Sequence, residues 1–371
     1  MKTAIGFINL HENPDLGKLT ERRPLAAVTF LGRYGLIDFA LSNFSNSNIY
    51  KTEILVERNL DSIRSHIQLG NIWVLNTRTG FLRAVINEKG LINPSDNTDI
   101  ANIIENVPPD VISEDYVVVA SPQFLMSIDY RDVLKEHGDS GAGITVVYTK
   151  TKEGKEYPNC NRLIIDSDNT VRKFMKSVKG EEEENISLES YVFSKEVFMG
   201  LLRFSREISN TTGTLKKMVE LYANNRMTKV VAYRFKGAVY PVLSLNQYIT
   251  QSFKMLNNTN RKTLFLPNWP IYTTPHNTPP ACYGAFADVQ NSFVANGAII
   301  KGKVKNSIIS RDVVIGEGAE VSDCILFTRS EVGKDVKLQY VVTDKNVSII
   351  DVKNLTGDQE DYLLISKGAK I

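Results

Sequence analysis

The chain has 371 residues, of which 42% are hydrophobic, with 44 Lys plus Arg against 42 Asp plus Glu. A formal charge of +2 lacks the basic excess of a nucleic-acid binder, and the length allows two or three domains with proper cores. Mean hydropathy is -0.18, and no apolar run approaches the roughly 18 residues of a membrane span.

In chain order, Ala4 to Asn9 reads as a strand, and Leu36 to Asn46 as a helix with Leu36, Ile37, Ala40, Leu41 and Phe44 on one face. Glu53 to Val56 is a strand. Asp61 to His66 opens a helix, with Asp61 as the expected N-cap. Tyr116 to Ala120 is the most apolar strand, followed by a helix over Tyr130 to His137 and a strand over Ile144 to Tyr148. Further strands are expected at Arg162 to Asp166, Val171 to Met175 and Tyr191 to Phe193, and helices at 195–204, 214–224 and 244–256. The acidic run Glu181 to Glu184 reads as a solvated loop. Such alternation predicts an α/β domain over 1–256, with a mostly parallel sheet covered by helices on both faces.

Residues 257–285 are rich in Asn, Thr and Pro, and are expected to form a surface connector. From 286 to 371 a new period begins. Ala298 and Val304 are six residues apart, as are Ile309, Ile315 and Val321, and after a one-residue slip Leu326, Val332 and Leu338. Gly302, Gly316, Gly318 and Gly333 fall at the turns. This step predicts a left-handed parallel β-helix of hexapeptide repeats, against the alternative of a small β-sandwich. Acyltransferases share such coils but need a histidine base on them. The four histidines are His11, His66, His137 and His276, so the coils read as structural. Cys160, Cys282 and Cys324 lie far apart and read as reduced thiols, and Met1 to Asp15 lacks the apolar core of a signal peptide. A cytoplasmic location is expected.

Leu16-Gly17-Lys18-Leu19-Thr20, Gly32-Arg33-Tyr34 and Ile37-Asp38-Phe39-Ala40-Leu41-Ser42-Asn43 closely resemble the N-terminal block of glucose-1-phosphate adenylyltransferase, or ADP-glucose pyrophosphorylase. The likeness continues through His66-Ile67, Asp129-Tyr130, Trp269-Pro270-Ile271-Tyr272-Thr273 and Pro279-Pro280. It reaches the coils at Asn306-Ser307, Ile315-Gly316-Glu317-Gly318-Ala319 and Thr343-Asp344-Lys345. The resemblance implies a Rossmann-like nucleotidyltransferase domain, with ATP and glucose 1-phosphate as substrates. It also implies a Gly-rich loop with an arginine for the triphosphate, a nearby lysine, and two aspartates holding Mg²⁺.

Five segments depart from that pattern. The family's glycine loop aligns with Leu10 to Leu16, where no glycine remains, Glu12 adds negative charge and Asp15 replaces the arginine. A carboxylate about 5 Å from one phosphate charge costs roughly 3 kcal/mol at an effective dielectric near 20. Leu25 stands where the lysine should be, Gln123 at one magnesium carboxylate and Pro241 at the other. Phe174-Met175-Lys176-Ser177-Val178 lacks the sugar-phosphate glutamate and lysine, although Lys176 lies one position from the latter. No Mg²⁺ or other cofactor is therefore expected. The pattern is similar to that of the GlgD-type non-catalytic subunit of bacterial glycogen synthesis.

The resemblance then implies a regulatory subunit in a heterotetramer with a catalytic ADP-glucose pyrophosphorylase subunit, without nucleic acid or membrane partners. Arg22 and Arg23 match a basic pair that binds phosphorylated effectors in some members, and Arg33 a further basic position, while Gly35 replaces another arginine. The alternative is an active sugar-phosphate nucleotidyltransferase with a degenerate site, drawing on Lys18, Lys176 and Asp129. His66 is expected to pack or cap, and Trp269 to anchor the connector on the first domain.

Overall fold

The computed structural model describes residues 2–76, 78–93, 97–176, 183–208 and 213–371. They fall into two compact units, each assembled from separate stretches of chain. The first joins Met1–Asn13, Ile37–Pro241 and Phe265–Tyr272; the second joins Pro14–Leu36, Val242–Leu264 and Thr273–Ile371.

In the first unit the elements are β1 (Ala4–Leu10), α1 (Ile37–Asn46), β2 (Lys51–Val56), α2 (Leu60–Ile67), β3 (Phe81–Ile86), α3 (Glu88–Ile92), α4 (Asp99–Asn106) and β4 (Tyr116–Ala120). They continue with α5 (Tyr130–Ser140), β5 (Ile144–Thr151), β6 (Asn161–Ile165), β7 (Val171–Lys176), β8 (Glu184–Ser194), α6 (Lys195–Ile208), α7 (Leu215–Asn224) and β9 (Val230–Arg234). The nine strands form one mixed sheet in the order β7-β6-β8-β4-β1-β2-β3, with β5 on β8 and β9 on β5. β1 lies between two parallel neighbours, Ile5 opposite Val117 and Gly6 opposite Thr52. β8 runs antiparallel to β4 and to β5.

Alternation along the strands builds the core. Ile5, Phe7, Val117, Val119, Ile144, Val146 and Phe193 join Phe198, Leu201 and Val219 of α6 and α7 in one buried cluster. Every residue of β4 is buried, as expected of a central strand covered on both faces. Gly6 is required by packing: a Cβ there would come within 2.5 Å of the Phe44 ring of α1.

The second unit contains α8 (Leu245–Lys254), α9 (Asn258–Leu264) and the coils. Three parallel five-stranded sheets form its walls, the first made of Cys282–Tyr283, Ile299–Ile300, Val314–Ile315, Glu331–Val332 and Ser348–Ile349. This is the left-handed β-helix the six-residue step predicts. Ala298, Val304, Ile309, Ile315, Val321, Leu326, Val332 and Leu338 are all buried in its core. The spacing between stacked residues is 17, as from Lys303 to Glu320, rather than three full steps of six. An early coil is shorter still, with Asn291 and Asn306 stacked 15 apart. Left-handed backbone at Asn291, Asn306, Asp323 and Tyr340 turns one corner of successive coils, a conformation Asn and Asp tolerate best. At Gly302 a Cβ would strike the Ala319 carbonyl of the next coil.

Three expectations need correction. Asn59, not Asp61, precedes α2; it is left-handed and makes no side-chain capping bond, and Asp61 lies in the first turn. Glu184 is a buried strand residue rather than part of a solvated loop, because Arg162 faces it at 3.5 Å; Glu181 and Glu182 lie outside the described residues. The connector contains α9, and its stretch Phe265–Tyr272 packs in the first unit, where Trp269 Nε1 donates to Asn43 Oδ1 at 2.8 Å. In three dimensions the stretches 14–36 and 242–264 pack with the coils. His66 contacts Asp38 through Nε2 at 2.5 Å, and no described helix is long and apolar enough to cross a membrane.

Candidate functional site

In an open sheet of this kind ligands bind beyond the carboxyl ends of the strands, where the strand order reverses. Here the chain runs β1, β2, β3 in one direction and then returns to the other side of β1 with β4. The reversal therefore lies at β1 and β4. The residues that follow these strands, His11 to Asn13 and Ser121 to Gln123, rim the candidate site.

His11 is buried, and its Nε2 lies 3.1 Å from Asn102 Nδ2. Burial pushes the imidazole down to about 4, so it is neutral near pH 7 and offers no cation to a phosphate. Glu12 follows in left-handed backbone at φ 58. Burial raises the Glu57 and Asp99 carboxyls, and the charge of Glu12 raises both further.

Asp99 accepts hydrogen bonds from Asn9 Nδ2 at 2.6 Å, from Leu215 N at 3.0 Å and from Ile100 N at 2.8 Å. Burial outweighs these bonds and pushes the carboxyl up from 3.8 to about 7. An acid raised on folding favours the folded state when protonated. Its contribution is complete below its unfolded value and is lost as pH rises through about 7. Asp99→Asn should remove that slope, gaining about 2–4 kcal/mol relative to wild type between about pH 5 and about pH 8. Urea midpoints at the two pH values give the comparison, and parallel wild-type and variant profiles would contradict it.

The four positions where the sequence leads one to expect lost chemistry, Asp15, Leu25, Gln123 and Pro241, are divided between the units. Gln123 and Pro241 are brought together in the first, because Phe124, next to Gln123, pairs with Pro241 across a short antiparallel ladder. Gln123 Nε2 donates to Glu189 Oε2 at 2.6 Å. Glu189 lies in left-handed backbone where the register of β8 shifts, and its other oxygen pairs with Lys216 Nζ. Burial opposes the Lys216 charge, but the Glu189 carboxylate holds the ammonium up. A magnesium ion at these two positions would meet a carboxamide and a proline ring, while the nearest carboxylate is already engaged by a lysine. That donor set does not fit a hard divalent cation.

Asp15 and Leu25 belong to the second unit. Asp15 is exposed, and its Oδ1 accepts from Gly17 N at 2.9 Å and Thr20 Oγ1 at 2.5 Å. Leu25 is buried in a short 3-10 turn. Lys18 Nζ reaches the Leu364 carbonyl at 3.3 Å. Of the other charged groups singled out, Asp129 caps α5 and pairs with Arg131, and Lys176 is exposed at the end of β7.

The adjacent arginines have different surroundings. Arg22 is exposed, whereas Arg23 is 4% exposed and its Nη2 bonds both Asp344 oxygens, at 2.7 and 2.8 Å. Arg23 Nη1 is buried without a hydrogen-bond partner. Arg33 is exposed, its guanidinium 5.6 Å from the Tyr34 ring centroid. Lys345 follows Asp344. Burial first, then the charge of Arg23, push its ammonium down to about 8, with Lys367 and Arg329 adding to the effect and Asp344 opposing it. Lys345, Arg329 and Lys367 were missed as site residues. The coil period carries the signal: the Gly368 amide bonds the Lys345 carbonyl, and the Asn346 amide that of Thr328, so these cations stack on neighbouring coils.

Comparison with known proteins matches residues 16–258 to the nucleotidyl transferase family and residues 281–362 to the GlmU-like C-terminal hexapeptide family. The chain is similar to a glucose-1-phosphate adenylyltransferase of Fervidobacterium nodosum, 30% identical over 358 residues, covering 95% of this chain and 85% of the relative. It is 28% identical over 314 residues to the Clostridium kluyveri protein of the same name, covering 84% and 82% of the two chains. It is 27% identical over 362 residues to the glycogen biosynthesis protein GlgD of Bacillus subtilis, covering 95% and 92%.

Proposed function

The chain belongs to the glucose-1-phosphate adenylyltransferase family, and from that premise we propose that it is a non-catalytic regulatory subunit of glycogen biosynthesis that assembles with a catalytic paralogue. One observation carries the reading. At the family's two metal positions stand Gln123 and Pro241, and the neighbouring carboxylate, Glu189, is closed off by Gln123 and Lys216. Glu12 and Glu57 bring carboxyl groups to the same carboxyl ends of the strands, where a triphosphate needs cations. The scaffold is kept and the charge pattern is reversed. On this reading the subunit binds no Mg²⁺ of its own and works in the cytoplasm, in a mixed tetramer.

Regulation would enter through the second unit. A phosphorylated sugar suits the buried, partnerless Nη1 of Arg23 and the cations Lys345, Arg329 and Lys367, with Arg22 and Arg33 exposed on the same segment of chain. An anion there would stabilise the Lys345 charge that burial disfavours. Arg23 itself is committed to Asp344, so Lys345 is the residue to change.

The test is co-expression with the catalytic paralogue, purification through a tag on this chain, and titration of the mixed complex with phosphorylated sugars. The expected result is a stable complex whose response Lys345→Ala weakens by about 5–150-fold in effector affinity, with the basal rate unchanged. Failure to co-purify would overturn the subunit reading. A titration curve unchanged by Lys345→Ala would remove these cations from regulation.

A further inference from the structure

Within the second unit, one face of α8 and one corner of the coils flank an open cavity of about 840 Å³ that neither the replaced chemistry nor the cationic cluster uses. A cavity of this size is typical of a small-molecule or oligomer site. Its floor is the corner ladder described above. Asn291 Nδ2 donates to Asn306 Oδ1 at 2.8 Å, and Asn306 Nδ2 to Asp323 Oδ1 at 3.4 Å. Above Asp323 the ladder ends in Tyr340, held in left-handed backbone at φ 53, which is costly for a bulky side chain. Tyr362 meets Tyr340 edge-on with centroids 5.6 Å apart, and lies 6.0 Å from Phe253 of α8. All three rings are half-buried and line the cavity.

The rest of the lining is uncharged or acidic. Asn246, Asn257 and Gln359 add carboxamides, and the lone lysine, Lys254, is outnumbered by Asp323 and Glu360. That balance disfavours phosphates and nucleotides. Carboxamides and a carboxylate each take a pair of vicinal hydroxyls, donating to one oxygen or accepting from one O–H. Aromatic faces take the apolar C–H face of a pyranose.

We propose that this cavity binds a neutral α-1,4-glucan chain, with Tyr362 and Phe253 as stacking platforms and Asn306 and Asp323 reading hydroxyls. The choice of glucose as the monomer rests on the function proposed above. Calorimetric titration of the purified full chain with maltoheptaose tests the proposal without any enzymatic readout. Binding at millimolar ligand or tighter is expected, weakened about tenfold by Tyr362→Ala and equally by Phe253→Leu. Glu331→Gln, on the one coil wall that does not meet this corner, should leave it unchanged. Tyr362→Leu gives a second variant should the alanine variant fold poorly. Absence of heat at millimolar maltoheptaose, or wild-type affinity in the Tyr362 and Phe253 variants, would overturn the site. A chain that binds maltoheptaose but does not co-purify with the paralogue keeps the glucan site and loses the subunit reading, and the converse result separates them the other way.

Discussion

Supplied with ATP, Mg²⁺ and glucose 1-phosphate, the chain alone should form ADP-glucose at least about 10⁴-fold more slowly than an active member of the family, because removal of one preorganised stabilising group typically costs about 10²–10³. Here several are missing at once. Gln123 and Pro241 supply no carboxylate, Leu25 no ammonium and Asp15 no guanidinium. The imidazole of His11 is held neutral by burial, and Glu12, Glu57, Asp99 and Glu189 bring carboxyl groups to the edge where a triphosphate would approach. The double variant Gln123→Asp, Pro241→Asp should stay within about tenfold of wild type, since it adds metal ligands without removing that repulsion. Mass-spectrometric detection of ADP-glucose provides the measurement. Turnover by the wild-type chain near that of the family's enzymes would establish it as an enzyme and end the pseudoenzyme reading.

Arg23→Ala should destabilise the second unit by about 3–5 kcal/mol, because it strands the Asp344 carboxylate in the interior. Asp344 is 2% exposed, and among the described residues Arg23 and the Lys345 amide, the latter at 2.6 Å, donate to its carboxylate. Asp344→Ala should cost a similar amount by leaving the guanidinium uncompensated. The double change Arg23→Met, Asp344→Leu should recover most of the loss, since a buried pair exchanged for apolar side chains of similar volume is often neutral or better. Arg22→Ala, one residue away and exposed, should stay within about 0.5 kcal/mol. Urea unfolding of the four variants is the measurement. Equal midpoints for the Arg22 and Arg23 variants would show that the ion pair contributes nothing. The same logic makes a joint Arg22, Arg23 alanine variant a poor probe of effector binding, because it would lose the fold of that unit first.

These two neighbours also mark how far the sequence can be read. Nothing local distinguishes Arg22 from Arg23. What separates them is a carboxylate 321 residues away. The strand Tyr116 to Ala120, the helix carrying Phe44 and the six-residue step of the coils are all legible because each follows a short period set by its own backbone geometry. The slip between Val321 and Leu326 looked like an exception and proves to be the rule, since two steps of six and one of five make a coil of 17. Replacement of the chemical positions is a proposal that rests on the sequence alone, residue by residue. Invisible in the sequence were the groups now occupying that space: Glu189, at an irregularity in β8, and Lys216, on a helix from another part of the chain. The packing of 14–36 on the coils was equally hidden, because a partner hundreds of residues away leaves no periodic trace.

That packing has a consequence for how the molecule is made. Leu16, Leu19, Leu25, Val28 and Phe30 are buried in a unit whose remainder begins at Val242. Arg23 emerges from the ribosome 321 residues ahead of Asp344, and at about 5–20 residues per second the interval is roughly 16–64 s. Until α8 emerges with Tyr248, whose hydroxyl donates to the Thr29 carbonyl, that apolar segment lacks the rest of its unit, while the strands of the nine-stranded sheet are already emerging around it. The sheet can form during synthesis; the second unit cannot. Its completion waits for the last coils, so a nascent chain stalled before Asp344 would display the 14–36 segment to chaperones, and a chain truncated there would display it permanently.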